Sequence, residues 1–264
     1  MAYALGLVSI SFRKHTPEEI LKAMQANGLS FVEWGSDVHA PCGDMETLQK
    51  LAALQKQYGI VCCSYGTYFR LGVTPLTQLP DYIRSAKALG TNILRLWCGD
   101  QNSEDYTPEE KAALFAACRE AAALAEAEQV TLCMECHNRT YTNRAESALE
   151  LMTAVASPHF RMYWQPNQYR TEAENLEYAR KLAAYTDHIH VFNWKEKERF
   201  PLADARTLWR QYLACFTGDR KLLLEFMPDD RLQTLPAETA ALKSIIDKLV
   251  FKGEYVCIKH MTAW

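Results

Sequence analysis

The sequence predicts an α/β fold, a (β/α)8 TIM barrel in which a parallel eight-stranded barrel is surrounded by helices. Short apolar runs typical of strands alternate with amphipathic helical stretches about eight times, at a spacing of about 30 residues. The glycine-rich motifs that cradle nucleotide phosphates are missing, which disfavours an open, dinucleotide-binding sheet. Polar and charged side chains end several of the apolar runs, where barrels place their functional groups.

Helix starts and stops divide the chain into these units. Thr16-Pro17-Glu18-Glu19 and Thr107-Pro108-Glu109-Glu110 are capping boxes, each with proline at the first helical position. The predicted strands run from Leu7 to Phe12, Phe31 to Trp34, Val61 to Tyr65, Ile93 to Trp97, Val130 to Cys136, Arg161 to Gln165, His188 to Phe192 and Lys221 to Phe226. The remaining predicted helices run from Glu46 to Tyr58, Leu79 to Leu89, Arg144 to Ala156, Glu172 to Ala184, Ala203 to Phe216 and Pro236 to Val250.

Composition narrows the class of protein. The 264 residues carry a net charge of −3 and no linker-like or low-complexity tract, so one domain spanning residues 1–264 is expected. Basic residues are interleaved with acidic ones, which argues against a nucleic-acid partner. No stretch of about 18 apolar residues occurs, and the apolar start reads as a first strand and not as a signal, so a soluble protein without a membrane partner is expected.

Nine cysteines are scattered through the chain, several of them inside apolar runs. This pattern indicates reduced, buried thiols and hence a cytoplasmic protein. Cys133 and Cys136 share a predicted strand, and residues three apart on a strand face opposite sides, so the pair is not expected to bind one metal ion.

Ionisable and amide side chains stand where four consecutive strands end. Strand five ends in Glu135 and strand eight in Glu225, each after an apolar run, while strand six ends in Gln165. On strand seven, His188 and His190 point to the same side. Each of these residues can be satisfied separately by a neighbour, but convergence on one point explains all of them. Oxygen and imidazole donors suit a single divalent ion: Mn²⁺, Mg²⁺, Co²⁺ or Zn²⁺.

The whole chain resembles the xylose-isomerase-like barrels, the sugar phosphate isomerase/epimerase superfamily that also contains inosose dehydratase, hydroxypyruvate isomerase and, more distantly, AP endonucleases. The segment GLSFVEWGSDVHAP, from Gly28 to Pro41, is similar to the second unit of uncharacterised members. The resemblance implies metal ligands at four positions, namely Glu135, Gln165, His190 and Glu225.

One departure from the family pattern lies in the sequence YWQPNQ. Gln165 stands where relatives usually have aspartate, and Gln168 replaces a family histidine. A glutamine carbonyl oxygen is still a hard ligand, but loss of one negative charge should weaken retention of the metal.

The resemblance also implies a mechanism on a small, sugar-like substrate. A metal ion chelating a carbonyl and its neighbouring hydroxyl would favour proton abstraction and stabilise an enediolate. Glu135 and Glu225 approach the substrate from opposite sides in the relatives, so they are the predicted catalytic bases. Epimerisation, aldose–ketose isomerisation and dehydration are all outcomes of this chemistry, and the sequence does not choose among them.

Further side chains near strand ends are candidate substrate contacts, each with a plain structural alternative. Arg95 and Trp97 share a face of strand four, and a buried arginine needs either an acidic partner or an anionic substrate. Lys195 can hold a phosphate or belong to a solvated charge run. The full set of predicted contacts is His137, Arg95, Trp97, His39, Tyr65, Gln168, Trp194 and Lys195.

Two other functions compete with an isomerase. A DNA-repair endonuclease on the same fold needs three zinc ions and more ligands than the sequence offers. A non-catalytic sugar-binding barrel is favoured by Gln165. A homodimer is compatible with the sequence, since barrels commonly pair through helical faces and the tail from Tyr255 to Trp264 ends in an apolar residue.

Overall fold

The computed structural model describes residues 3–259, and among these the side chains of residues 3–249. Eight parallel strands form a closed barrel in which β8 pairs with β1, so every strand has two neighbours and the predicted (β/α)8 fold is confirmed. The strands are β1 Tyr3–Val8, β2 Phe31–Gly35, β3 Val61–Leu71, β4 Ile93–Cys98, β5 Thr131–Glu135, β6 Phe160–Trp164, β7 Thr186–Val191 and β8 Arg220–Leu224.

Helices follow the strands and cover the outside of the barrel. They are α1 Pro17–Asn27, α2 Met45–Gln57, α3 Leu79–Ala88, α4 Pro108–Ala127, α5 Ala145–Val155, α6 Glu172–Leu182, α7 Arg206–Leu213 and α8 Leu235–Lys259. Both predicted capping boxes are present, at Thr16 and Thr107, and Thr171 forms a third at the start of α6. The predicted partner-covering tail, residues 255–264, lies outside the residues whose side chains are described.

The first strand differs from its prediction, which placed it from Leu7 to Phe12. It ends at Val8, and Ser9–Phe12 form a 3-10 turn. The turn replaces strand pairing with side-chain hydrogen bonds: Ser9 Oγ accepts from the Gly35 amide and Ser11 Oγ accepts from the Phe226 amide, both at 2.9 Å. A short hairpin, in which Trp194–Lys195 pairs with Glu198–Arg199, follows β7. Residues 195–198 are all exposed, which agrees with the alternative of a solvated charge run.

The strand period of two divides the barrel interior into layers. A small apolar cluster fills the lower interior, and its members include Cys63, Cys133, Tyr163 and Leu223. Residues two positions further along β5, β6 and β8 face the same interior nearer the carboxyl ends of the strands. A much larger apolar core lies between the barrel and the helices.

Within residues 3–249, we find no helix with the length and apolar character that a bilayer crossing requires.

Candidate metal centre

Four strand ends bring the predicted ligands into the barrel interior. Glu135 is the last residue of β5, Gln165 and Glu225 directly follow β6 and β8, and His190 lies in β7. Their residue exposures are 3%, 6%, 2% and 0%, in that order. Glu135, Gln165 and Glu225 face inward because each lies two positions after a member of the interior cluster. His190 faces inward because its ring packs against Tyr163, which also belongs to that cluster. The predicted convergence of these four side chains is therefore present.

The donor atoms meet at Nδ1 of His190. This nitrogen lies 3.3 Å from Oε1 of Glu135 and 3.5 Å from Oε2 of Glu225. It lies 3.0 Å from Oε1 of Gln165. The Gln165 amide nitrogen donates to the Cys136 carbonyl at 3.1 Å, so the amide oxygen is the atom that faces the cluster. One donor atom from each of Glu135, His190 and Glu225 lies within 4.8 Å of the other two.

The donor set fits a divalent cation. Oε2 of Glu225 is buried and has no hydrogen-bond partner among the described residues. A buried carboxylate oxygen without a partner is costly, and a cation at this position would remove the cost. Two carboxylates, one imidazole and one amide oxygen are donors that Mn²⁺, Mg²⁺, Co²⁺ and Zn²⁺ accept.

A fifth ionisable residue, Glu33 at the centre of β2, joins the cluster and was not singled out from the sequence. It is fully buried, and its Oε1 accepts from Arg95 Nε at 3.3 Å. Arg95 also donates through Nη1 to Oε2 of Glu135 at 3.2 Å. Of the two roles considered for Arg95, the structure thus shows the internal ion pair. A charged residue within the apolar run FVEWG was the signal for Glu33, the same signal that identified Glu135.

The two glutamates that were predicted as bases have very different pKa values. Burial raises the pKa of Glu225 to about 7, with a further contribution from the charge of Glu135 and an opposing one from His190. Burial also raises the pKa of Glu135, but Arg95 and His190 outweigh it and lower the value to about 2. In the metal-free protein, Glu135 is therefore the carboxylate that stays ionised and Glu225 the one that is more readily protonated.

His190 is held as a cation when no metal ion is bound. Burial lowers its pKa, but the carboxylates of Glu225 and Glu33 overcome this effect and raise the value to about 10. The imidazolium thus balances charge in a carboxylate-rich interior. Because a metal ligand must be neutral imidazole, metal binding is expected to release a proton.

Two predicted substrate contacts, Trp97 and His137, lie beside Glu135. Trp97 Nε1 donates a hydrogen bond to Oε2 of Glu135. The Trp97 ring packs against His137 with ring centroids 5.3 Å apart, and the Arg70 guanidinium carbon lies 4.3 Å from its centroid. These groups form a cationic and aromatic rim next to the candidate metal centre.

Two other predicted contacts, Tyr65 and His39, are not brought to the cluster. The Tyr65 hydroxyl donates to the Ala40 carbonyl at 2.7 Å, and its ring packs near Tyr82 of α3. His39 Nε2 lies 3.1 Å from the His15 carbonyl, and its ring packs edge-on against Trp34. Both side chains are buried in packing outside the barrel interior.

The remaining predicted contacts, Gln168, Trp194 and Lys195, line a cavity of about 370 Å³ between the loops after β6 and β7 and the helices α6 and α7. None of the four candidate ligands lines it. Trp194 also packs against Phe226, with ring centroids 5.1 Å apart, and Lys195 Nζ lies 3.4 Å from Glu172. This cavity is beside the cluster and distinct from it.

The fold and the site together define the class of protein, which is a closed (β/α)8 barrel with a buried Glu-His-Glu cluster at the carboxyl ends of its strands. A family model described as xylose isomerase-like TIM barrel matches residues 21–212, and the chain belongs to this family. No protein with a curated description matches the sequence.

Solved structures share the fold at low sequence identity. The probable 3-DHS dehydratase AsbF of Bacillus anthracis has a TM-score of 0.76 and 18% identity, covering 91% of this chain and 98% of its own. An L-ribulose 3-epimerase has a TM-score of 0.73 and 15% identity, covering 97% and 98%. A xylose isomerase-like TIM barrel protein from Mycobacterium smegmatis in complex with magnesium has a TM-score of 0.67 and 13% identity, covering 94% and 98%.

Proposed function

We propose that this protein is a metal-dependent isomerase or epimerase acting on a sugar, a sugar phosphate or a related polyol. The observation that carries the proposal is the buried cluster of Glu135, His190 and Glu225, whose donor atoms lie within 4.8 Å of one another. Family membership and the fold shared with an L-ribulose 3-epimerase support the substrate class. The magnesium complex of a protein with the same fold supports a divalent ion.

Glu135, Gln165, His190 and Glu225 would hold the ion. When bound, a divalent cation supplies Lewis-acid polarisation of a carbonyl and its neighbouring hydroxyl. Glu135 remains ionised because Arg95 and Trp97 donate to it, so it is a proton acceptor at neutral pH. Burial raises the pKa of Glu225 to about 7 in the metal-free protein, and a bound cation would lower it, so Glu225 would be ionised and would be a second proton acceptor.

Burial of the cluster supports this chemistry. Glu135 and Glu225 are almost fully buried, so these two side chains, and not bulk water, would decide the face to which a proton returns. Return of a proton to the opposite face of the same carbon gives epimerisation, and return to the neighbouring carbon gives aldose–ketose isomerisation through the enediolate.

The test is deuterium uptake in heavy water from a panel of ketoses, aldoses, inososes and their phosphates, with Mn²⁺, Mg²⁺, Co²⁺ or Zn²⁺ present. We expect metal-dependent incorporation of carbon-bound deuterium into at least one substrate class. Glu135→Gln should abolish uptake and leave the circular dichroism spectrum unchanged. Wild-type uptake by Glu135→Gln would refute the assignment of the base. Absence of stoichiometric metal binding in the wild type would favour a non-catalytic sugar-binding barrel.

A dehydratase is the second candidate, favoured by the fold shared with the probable 3-DHS dehydratase. A glutamate that has taken a proton from carbon can return it to a leaving hydroxyl on the neighbouring carbon, so that water is lost. The same panel separates the two functions, because a dehydratase product has lost the mass of one water and an isomer has not.

A further inference from the structure

The two ring nitrogens of His190 face different groups. Nδ1 points to the oxygens of Glu135, Gln165 and Glu225. Nε2 lies on the other side of the ring, 3.5 Å from Oε2 of Glu33, and is buried with no hydrogen bond to any of the residues whose side chains are described. An imidazole can bind a metal ion through Nδ1 only when its remaining proton is on Nε2. Glu33 is the carboxylate placed to accept that proton.

Glu33 is itself held firmly in position. Ser64 Oγ donates to its Oε2 at 2.7 Å, and Arg95 Nε donates to its Oε1 at 3.3 Å. The Tyr163 hydroxyl lies 3.1 Å from Ser64 Oγ, while the Tyr163 ring packs against His190 with centroids 4.4 Å apart. The orientation of the imidazole is therefore coupled to a polar network below it in the barrel.

Charge balance gives Glu33 a second role. The ionised carboxylates of Glu33, Glu135 and Glu225 and the guanidinium of Arg95 leave a net charge of −2 when His190 is neutral. That charge matches one divalent cation, although Gln165 contributes none. Without Glu33 the net charge would be −1, and a divalent ion would bring an uncompensated charge into a buried site.

We propose that Glu33 is a positioning residue for the cation site, which keeps the His190 proton on Nε2, turns Nδ1 toward the ion and supplies the negative charge that Gln165 lacks. The inference rests on the proposed function in one respect, since it requires a divalent ion at the cluster. Glu33 acts through His190 and Arg95 and is not assigned a contact with the ion or the substrate.

The first test measures the Kd of Mn²⁺ by isothermal titration calorimetry in the wild type, Glu33→Gln and Glu33→Leu. Loss of a residue that orients a metal ligand typically weakens binding about 10- to 100-fold. Glu33→Leu removes both the acceptor and the charge, so we expect a loss near the upper end of that range. Glu33→Gln keeps an acceptor oxygen and should retain part of the affinity.

Glu238→Gln is the matched control. Glu238 is also a buried glutamate, but its carboxylate accepts from the Leu202 backbone amide at 3.0 Å, away from the cluster. It should bind Mn²⁺ with the wild-type Kd. Equal Kd values in the wild type and Glu33→Leu, with the wild type binding normally, would overturn the role of Glu33 and leave the proposed function standing. No Mn²⁺ binding by the wild type would overturn both.

A second measurement needs no variant to fold. In the wild-type protein labelled with ¹⁵N-histidine and loaded with diamagnetic Zn²⁺, the NMR spectrum of the His190 ring should show a proton on Nε2 and metal-shifted Nδ1. A proton on Nδ1, with Nε2 as the ligand, would overturn the proposal.

Discussion

Gly66 in β3 leaves the space that the Glu33–Arg95 ion pair occupies. A Cβ atom at this position would lie 2.6 Å from Oε1 of Glu33 and 2.9 Å from Nη2 of Arg95. Both neighbours are buried and hydrogen-bonded, so neither can move aside without breaking a contact. Glycine at this position is thus required by close approach and not by backbone conformation.

Gly66→Ala should therefore lower the free energy of unfolding by about 1–3 kcal/mol and also weaken Mn²⁺ binding. Chemical denaturation and calorimetry measure the two effects. Gly90→Ala is the control, because Gly90 has a φ of +83° with open space around it. That variant should lose stability through backbone strain alone and keep the wild-type Kd. Equal Mn²⁺ affinity in Gly66→Ala would contradict the packing role of Gly66.

Glu225 is expected to destabilise the metal-free protein at alkaline pH. Its pKa is raised from the ordinary 4.5 to about 7, so the folded state holds the proton more tightly than the unfolded state. Its contribution to stability therefore falls as pH rises from about 4.5 to 7 and stays low above that. The loss amounts to at most about 3 kcal/mol.

Glu225→Gln should accordingly raise the Tm of the metal-free protein at pH 8. Each kcal/mol corresponds to roughly 2–4 °C for a chain of this size. At pH 5 the carboxyl is protonated in the folded protein, and its ionisation in the unfolded chain still contributes little free energy, so the difference should be much smaller than at pH 8. Thermal melts in EDTA at both pH values measure the effect. A variant with a lower Tm than the wild type at pH 8 would show that the Glu225 carboxylate is stabilised without a metal ion.

Residue patterns in the sequence predicted the convergence of two glutamates, a histidine and an amide at the ends of four strands. The family resemblance then selected Glu135, Gln165, His190 and Glu225 as the candidate ligands, and neither source described their surroundings. Glu33 carried the same signal but lay inside a strand instead of at its end. The partner of Arg95 and the outward direction of Tyr65 depend on how strands are staggered around the barrel, which local sequence does not specify.

At the scale of elements, the 3-10 turn Ser9–Phe12 links β2, which carries Glu33, to the segment after β8, which begins with Glu225. Ser9 Oγ accepts from the Gly35 amide at the end of β2, and Ser11 Oγ accepts from the Phe226 amide after β8. Phe226 has a φ of +51°, a left-handed conformation that a bulky residue adopts only when the surroundings impose it. The apolar run up to Phe12 predicted a strand here. The turn was not predicted because nothing in the local sequence indicates these tertiary hydrogen bonds.

Ser11→Ala should leave the Phe226 amide without its acceptor and release the backbone beside Glu225. This hydrogen bond is partly buried, and its loss should cost about 1 kcal/mol. We expect that loss of stability together with weaker Mn²⁺ binding, measured by denaturation and calorimetry. Thr107→Ala, which removes the cap of α4, should cost about 1 kcal/mol without any change in Mn²⁺ affinity. Unchanged affinity in Ser11→Ala would mean that the turn does not position Glu225.

At the scale of the whole molecule, the candidate metal centre lies in the barrel interior. The alkylation rate of the buried cysteine thiols measures how often the fold around it opens. The eight cysteines whose side chains are described are all unpaired. Six are buried, namely Cys62, Cys63, Cys98, Cys118, Cys133 and Cys136. Cys42 and Cys215 are only partly buried. Alkylation of the six buried thiols requires the fold to open, because the reagent cannot reach them in the closed structure. Burial also raises the pKa of thiols such as those of Cys63 and Cys136, both to about 12, so little reactive thiolate is present before opening.

A cation bound at four strand ends should stabilise the closed barrel as a unit and slow alkylation of the buried thiols. In the limit of fast reclosing, the rate falls by a factor of one plus the ratio of free cation to Kd, about 100-fold at 100 times Kd. Mn²⁺ suits the experiment because it binds thiols of the unfolded chain weakly. Mass spectrometry after iodoacetamide treatment follows each cysteine. Cys42 and Cys215 should react at the same rate with or without Mn²⁺, and slowing of these two alone would place the cation elsewhere on the protein.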